Sequence, residues 1–210
     1  WMPAERHYAL FRDLTIPPPP TLFDGYANRS GVLRQQKMSL ANDFHWRNDM
    51  KFTVPPPDAK AFPDAYANGE LGRMTPAQRA AWDAAYLPEN EKFLADWQAG
   101  RLDPKAVTEW KYQRYTKDYL RCVRALDEGI GRMLDWLDES GLAKNTVVIY
   151  SSDQGFYLGE HGWYDKRWIF EESLSMPFLS RWPGVVKPGS RPEQMIQNID
   201  YGPTFLDMAG

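Results

Sequence analysis

The fold is decided by TVVIYSSDQG, residues 146–155, in which a β-branched and aromatic run ends in two serines, an acid, an amide and a glycine. Thr146 to Tyr150 are apolar on both faces, which favours a buried strand of a parallel or mixed sheet. A second apolar run, Met176 to Trp182, predicts a neighbouring strand. Helical patterns flank the two strands, so the order helix, strand, loop, strand, helix indicates an α/β fold.

Caps and periodicity mark the flanking helices. Thr75 followed by Pro76 predicts a helix start, because threonine caps the first turn and proline suits its first position. A longer helix is expected from about Lys105 to Glu139, with Gly141 as its C′ residue, and residues 198–210 predict a short one. The apolar residues of the longer helix recur every three or four positions and are expected to face a core. They are Tyr112, Tyr115, Tyr119, Val123, Leu126, Ile130, Met133, Leu134 and Leu137.

Composition excludes several classes of protein. The 210 residues are 43% hydrophobic with a net charge of −3, which indicates a globular chain without the basic stripe of a nucleic-acid partner. No apolar run approaches the roughly 18 residues of a membrane span. The single cysteine, Cys122, excludes an intrachain disulfide and a cysteine-built zinc site. Oligomeric state stays open. Residues 1 to about 65 are rich in proline and predict a segment that wraps a larger body, forms part of a pocket or lies on the surface as a connector.

Candidate metal ligands follow the first strand. In open α/β sheets ligands bind beyond the carboxyl ends of strands, where Asp153 lies. A carboxylate beside the amide oxygen of Gln154 favours calcium or magnesium over zinc. Gly155 lets the backbone turn sharply behind both side chains. The same triplet is also typical of an ordinary turn.

The longer segment SDQGFYLGEHGWYDKRWIFEESLSMPFLSRWPG, residues 152–184, resembles the sulfatase family of the alkaline-phosphatase-like superfamily. That family has a strand ending in Ser-Asp-(Asn/His/Gln)-Gly and a Leu-Gly-(Glu/Asp)-His-Gly loop. A lysine, a Glu-Ser pair and an apolar strand ending in Arg-(Trp/Tyr)-Pro-Gly follow. The match is dense from Asp127 to Gly189, and residues 1–26 and 198–210 also look like sulfatase segments. The resemblance implies an alkaline-phosphatase-like mixed sheet flanked by helices, present here as an incomplete part of the domain.

The resemblance also implies roles for single residues. Asp153 and Gln154 match calcium ligands, with magnesium as the other hard cation. Lys166 matches the lysine that contacts the sulfate and assists at the leaving-group oxygen, so it is both a catalytic and a substrate-binding candidate. A cation at that position stabilises charge that develops in the transition state.

Three neighbouring residues are further candidates. His161 is a catalytic candidate that either positions the substrate or donates to a backbone carbonyl. Trp163 and Tyr164 are substrate-binding candidates that could line a sugar site, although aromatic packing explains them equally well. The pair Glu171 and Glu172 is interpreted as helix-start or loop-bracing residues rather than as an acid/base pair.

One expected part of the site is absent from the sequence. Sulfatases of this family use formylglycine, made from the first residue of Cys/Ser-x-Pro-x-Arg, as the nucleophile, and these 210 residues lack that motif. We therefore expect formylglycine upstream, and residues 1–210 as part of a single catalytic domain. In it, residues 1–74 form a proline-rich wrapping segment and residues 75–210 the helices and strands of the α/β core. A nucleophile-bearing part and a C-terminal subdomain lie outside, so the isolated chain is expected to be inactive.

The resemblance predicts an enzyme, a calcium-dependent sulfuric ester hydrolase acting on a sulfated small molecule or glycan. The alternatives are a phosphodiesterase, phosphonate hydrolase or phosphatase of the same superfamily, and a non-catalytic remnant of the fold. An amide oxygen is a poor zinc ligand, so Gln154 argues against the two-metal phosphatases. The substrate, the sulfated position and the choice between O-sulfate and N-sulfate are not determined. A periplasmic, extracellular or lysosomal location follows from the resemblance alone.

Overall fold

The computed structural model describes residues 1–56 and 67–210. Residues 1–56 contain two short 3-10 turns, at Glu5–His7 and Gly31–Arg34, and otherwise irregular backbone. They run along the longest helix and are tied to it by hydrogen bonds. Of the rest of the predicted 1–74 segment, residues 57–66 lie outside the described residues, and the remainder contains a five-residue helix, Ala67–Leu71.

Three helices follow, and their caps explain where they begin. Helix α1 spans Ala67–Leu71, α2 spans Pro76–Gln98 and α3 spans Pro104–Glu139. Thr75 forms a reciprocal capping box with Gln78, and the carboxylate of Asp103 accepts from the N–H of Ala106 at 2.7 Å. Gly141 follows α3 with φ 74°, the left-handed conformation that glycine adopts without strain.

The hydrophobic core lies between residues 1–56, α2 and the first half of α3. Aromatic rings form most of it, and Phe93 and Trp110 pack with ring centroids 4.4 Å apart. Tilted and edge-on ring pairs of this kind add stability beyond the area they bury. The buried members of this cluster are Leu22, Leu40, Phe44, Met50, Phe52, Phe93, Val107, Tyr112 and Tyr115.

Two small antiparallel sheets complete the structure. Strand β1 (Val148–Ser151) pairs with β4 (Phe178–Arg181), and β2 (Tyr157–Leu158) pairs with β3 (Tyr164–Asp165). Helix α4 covers Glu171–Leu174. Both longer strands and the final helix α5 (Tyr201–Ala209) lie where the sequence predicts them. The expected burial of β1 is wrong, because all four of its residues are half-buried.

The apolar stripe of α3 is buried over only part of its length. Tyr112 and Tyr115 are enclosed, whereas Val123, Leu126 and Met133 are 40%, 50% and 65% exposed. The prediction that the whole stripe faces a core is therefore not met in its second half within the described residues. There the contacts are polar, from Arg6 and His7 to Glu128, and they leave these apolar side chains uncovered. Over the described part of the chain, no helix is long and apolar enough to cross a bilayer.

Candidate metal and substrate site

Asp153 and Gln154 lie directly after β1, at the carboxyl end of the strand. The Asp153 side chain is 86% exposed, and its backbone carbonyl accepts from Asn198 at 3.0 Å. Gly155 is packed so closely that a Cβ atom there would lie 2.2 Å from the carbonyl oxygen of Glu172. Glycine is therefore required by space, because two backbone segments meet at this position.

The amide of Gln154 is oriented by Ser173, the buried serine of α4. Its Nε2 donates to the backbone carbonyl of Ser173 and, at 2.9 Å, to the Ser173 hydroxyl oxygen. A carbonyl oxygen only accepts, so the atom that faces Ser173 must be the amide nitrogen. Oε1 is therefore the atom on the other side of the amide, as a metal ligand would need to be. A carboxylate and an amide oxygen fit a hard cation such as calcium.

Lys166 lies on the loop after β3, close to Asp153. Its Nζ is 3.7 Å from Asp153 Oδ2, and its backbone carbonyl accepts from the Ser173 hydroxyl at 3.0 Å. Ser173 thus holds both Gln154 and Lys166. The sequence assigns Ser173 no role, and its only signal is its place in the Glu-Ser pair of the resemblance. In the sequence, Lys166 lies between Asp165 and Arg167, whose side chains pair at 2.7 Å.

His161 joins the same loop to the wrapping segment. Its Nδ1 lies 3.2 Å from Asp24 Oδ2 and 3.0 Å from Arg29 Nη1, and its Nε2 is 3.7 Å from Glu172 Oε1. Its backbone carbonyl accepts from the Tyr26 hydroxyl at 2.6 Å, and φ is 57°. The Tyr26 N–H bond lowers the pKa of Asp24, and the contact with His161 adds to this. These contacts hold the wrapping segment against the loop, while a catalytic role for His161 stays a prediction.

The two aromatic candidates have different surroundings. Trp163 is fully buried in a second cluster with Leu33, Met38 and Tyr157, so protein encloses its indole. Tyr164 is half-buried, packs edge-on against Phe44 with centroids 4.4 Å apart, and lines a cavity of about 200 Å³. Of the two, Tyr164 is the one that reaches a space a ligand could enter.

Comparison with known proteins decides the family. The family model described as N-sulphoglucosamine sulphohydrolase, C-terminal, matches residues 159–210. The whole chain is 40% identical to an N-acetylglucosamine-6-O-sulfatase of Bacteroides thetaiotaomicron, over 210 residues. This chain belongs to the sulfatase family. A human N-acetylglucosamine-6-sulfatase is 36% identical over 155 residues, covering 65% of this sulfatase chain and 28% of the human protein.

A solved structure supports the same fold. A protein in complex with its substrate D-glucosamine-2-N,6-O-disulfate matches all of this sulfatase chain with a TM-score of 0.86 and 40% identity. The alkaline-phosphatase-like α/β fold, present as a part of that domain, is thereby confirmed. The match covers 41% of the solved chain, and this chain spans 37% of the Bacteroides relative.

Proposed function

We propose that the protein hydrolyses sulfate esters of sulfated sugars and that this chain supplies part of the metal and sulfate site. The observation that carries the proposal is that Lys166 Nζ lies 3.7 Å from Asp153 Oδ2. Ser173 hydrogen-bonds both to the backbone of Lys166 and to the amide of Gln154, so the three candidate residues are brought together. The relatives support it, because two of them are named as N-acetylglucosamine 6-sulfatases and the solved structure holds a glucosamine disulfate as its substrate.

Each residue has a distinct task in this proposal. Asp153 and Gln154 Oε1 would hold calcium, which as a Lewis acid polarises a bound sulfate. Lys166 binds a sulfate oxygen and stabilises the charge that develops on the leaving oxygen. Ser173 is a positioning residue, because it fixes the Gln154 amide and the backbone of Lys166 through two hydrogen bonds. The nucleophile, formylglycine, is expected from a segment upstream of Trp1.

The test is release of inorganic sulfate by the protein as its source makes it, with N-acetylglucosamine 6-sulfate as the probe. Lys166→Ala should lower kcat by about 10²–10³, the effect of losing one preorganised group that stabilises transition-state charge. Lys144→Ala, on an exposed turn, is the matched control and should leave kcat unchanged.

Two further results separate the alternatives. EGTA should abolish sulfate release and calcium should restore it better than zinc, because both ligands are oxygen atoms. Faster release of phosphate from N-acetylglucosamine 6-phosphate than of sulfate would contradict the proposal and support a phosphatase. Equal activity of Lys166→Ala and the parent protein would remove Lys166 from the site.

A further inference from the structure

A cavity of about 200 Å³ is lined by Tyr164, one of the substrate-binding candidates. Its lining includes Asp165, which precedes Lys166, and Phe156, two residues after Gln154. The cavity therefore shares its walls with the two loops that carry the candidate site. A larger cavity of about 370 Å³, between Met2, Arg79 and Trp82, shares Lys51 with this one but has no candidate site residue among its described lining.

Aromatic rings form the apolar walls of this cavity. Phe44 packs edge-on against Tyr115 at 4.8 Å and against Tyr164 at 4.4 Å, and the ring of Phe156 lies 6.5 Å from that of Tyr115. The Tyr115 hydroxyl is held by the carbonyl of Tyr157 at 2.8 Å, so this ring is fixed in place. Rigid aromatic surfaces pack well against the apolar C–H faces of a small ring.

Two carboxylates provide the polar part of the lining. Asp49 Oδ2 accepts from the N–H of His45 at 2.9 Å, and Asp165 Oδ2 accepts from Arg167 Nε at 2.7 Å. A carboxylate has about four acceptor positions, so these bonds leave room for ligand hydroxyl groups. Burial, followed by the negative charges of Asp49, Asp43 and Asp165, raises the pKa of Tyr164 to about 12.

The positive charge in the cavity lining is neutralised by an ion pair. Lys51 and Asp118 form a buried ion pair at 2.8 Å, with side chains 3% and 1% exposed. The lysine is thereby engaged by its own partner, and the other charged groups in the lining, Asp49 and Asp165, are acidic. Such a lining suits a hydroxyl-bearing group and disfavours a second anion inside the cavity.

We propose that this cavity takes one pyranose ring of the sulfated sugar and that Asp49 is a specificity residue that accepts a hydrogen bond from a ring hydroxyl. Its volume is below the roughly 300–1,000 Å³ of sites for drug-sized ligands, which limits it to a single ring. The inference rests on the proposed function, since it assigns a subsite to the sugar whose sulfate Lys166 would bind.

The experiment compares Asp49→Asn with Asp43→Asn in the protein as its source makes it. Asp43 is a matched control because its carboxylate also accepts from the N–H four residues earlier, that of Ser39 at 3.0 Å, and it is not among the described cavity lining. For N-acetylglucosamine 6-sulfate, Asp49→Asn should raise KM at least about tenfold with kcat little changed, because a hydrogen bond to a charged group is lost. For 4-nitrophenyl sulfate, which has no ring hydroxyls, neither substitution should alter kcat/KM.

A second readout does not depend on hydrolysis. Saturation-transfer NMR with unsulfated N-acetylglucosamine should show contact with the parent protein and with Asp43→Asn, and a weaker signal with Asp49→Asn. If the sugar binds in a way that depends on Asp49 but the protein releases no sulfate, the subsite would be supported and the proposed function would be wrong. Sulfate release with no sugar signal, or with the same loss on both sulfate esters in Asp49→Asn, would overturn the subsite alone.

Discussion

The two halves of α3 have similar sequence patterns and opposite environments. From Val107 to Arg121 the helix contributes nine buried residues, whereas none of the fully described residues 122–139 is buried. The first half even encloses charges, since Arg114 and Asp118 are 2% and 1% exposed. In the second half, the described residues leave apolar side chains uncovered, including Trp136 at 58% exposure.

The wrapping segment accounts for the difference. The carbonyl of Pro17 accepts from the Tyr112 hydroxyl at 2.9 Å, and the carbonyl of Leu10 accepts from Arg121 Nε at 2.9 Å. These bonds satisfy backbone groups of an irregular segment while that segment covers the first half of the helix. An apolar stripe thus shows which face of a helix can be buried, while a second segment decides how much of it is buried.

The largest loss of stability is expected at Asp118, a charged residue in the buried half of α3. Asp118 pairs with Lys51 and Arg121 and accepts from the Tyr86 hydroxyl at 2.9 Å. Burial would raise the pKa of its carboxyl, yet Lys51 and Arg114 outweigh burial and hold that pKa below its usual value. Asp118→Ala should lower the free energy of unfolding by about 3–5 kcal/mol, because it leaves buried cations without a partner.

Urea unfolding of the protein as its source makes it measures this loss. Asp135→Ala, an exposed aspartate of the second half, is the control and should change stability by less than about 0.5 kcal/mol. Similar losses for both aspartates would mean that the two halves do not differ in the way the burial pattern indicates.

A smaller loss of stability is expected at Gly155, where two backbone segments meet beside the candidate site. At Gly155 a Cβ atom would lie 2.2 Å and 2.6 Å from the carbonyl oxygens of Glu172 and Ser175, so Gly155→Ala should destabilise by about 1–3 kcal/mol through overpacking. At Gly131, in the exposed half of α3, no atom lies within 4 Å, so Gly131→Ala should stabilise by about 0.5–1 kcal/mol. Thermal unfolding should therefore give shifts of opposite sign, and a gain at both glycines would refute the close packing at Gly155.

A third comparison uses a matched pair of valines on α3. Val107 is 8% exposed and Val123 is 40% exposed. Val107→Ala should cost about 2 kcal/mol, for two buried methyl groups and the space they leave, and Val123→Ala less than about 0.5 kcal/mol. Guanidinium titration resolves this difference. A larger loss at Val123 would show that its face of the helix is covered in solution.

Part of the candidate site could be predicted from the sequence. Asp153 and Gln154 follow a strand and Lys166 lies within a motif, so their places in the loops were predictable, while their functional roles stay predictions. Ser173 could not be found in the same way, because its role depends on a contact with Gln154, 19 residues away in the chain. Asp49 is harder still, since its carboxylate and Tyr115 line one cavity only through the packing of an irregular segment on α3.

The sequence by itself determined the local features. The capping residues Thr75 and Asp103, the glycine after α3 and the apolar runs of β1 and β4 act within a few residues, so they specify element boundaries without tertiary contacts. Only the tertiary structure decided which half of α3 is buried and which side chains meet at the site and the cavity. Those outcomes depend on contacts between segments far apart in the chain, and no local pattern encodes which distant segment will provide the cover.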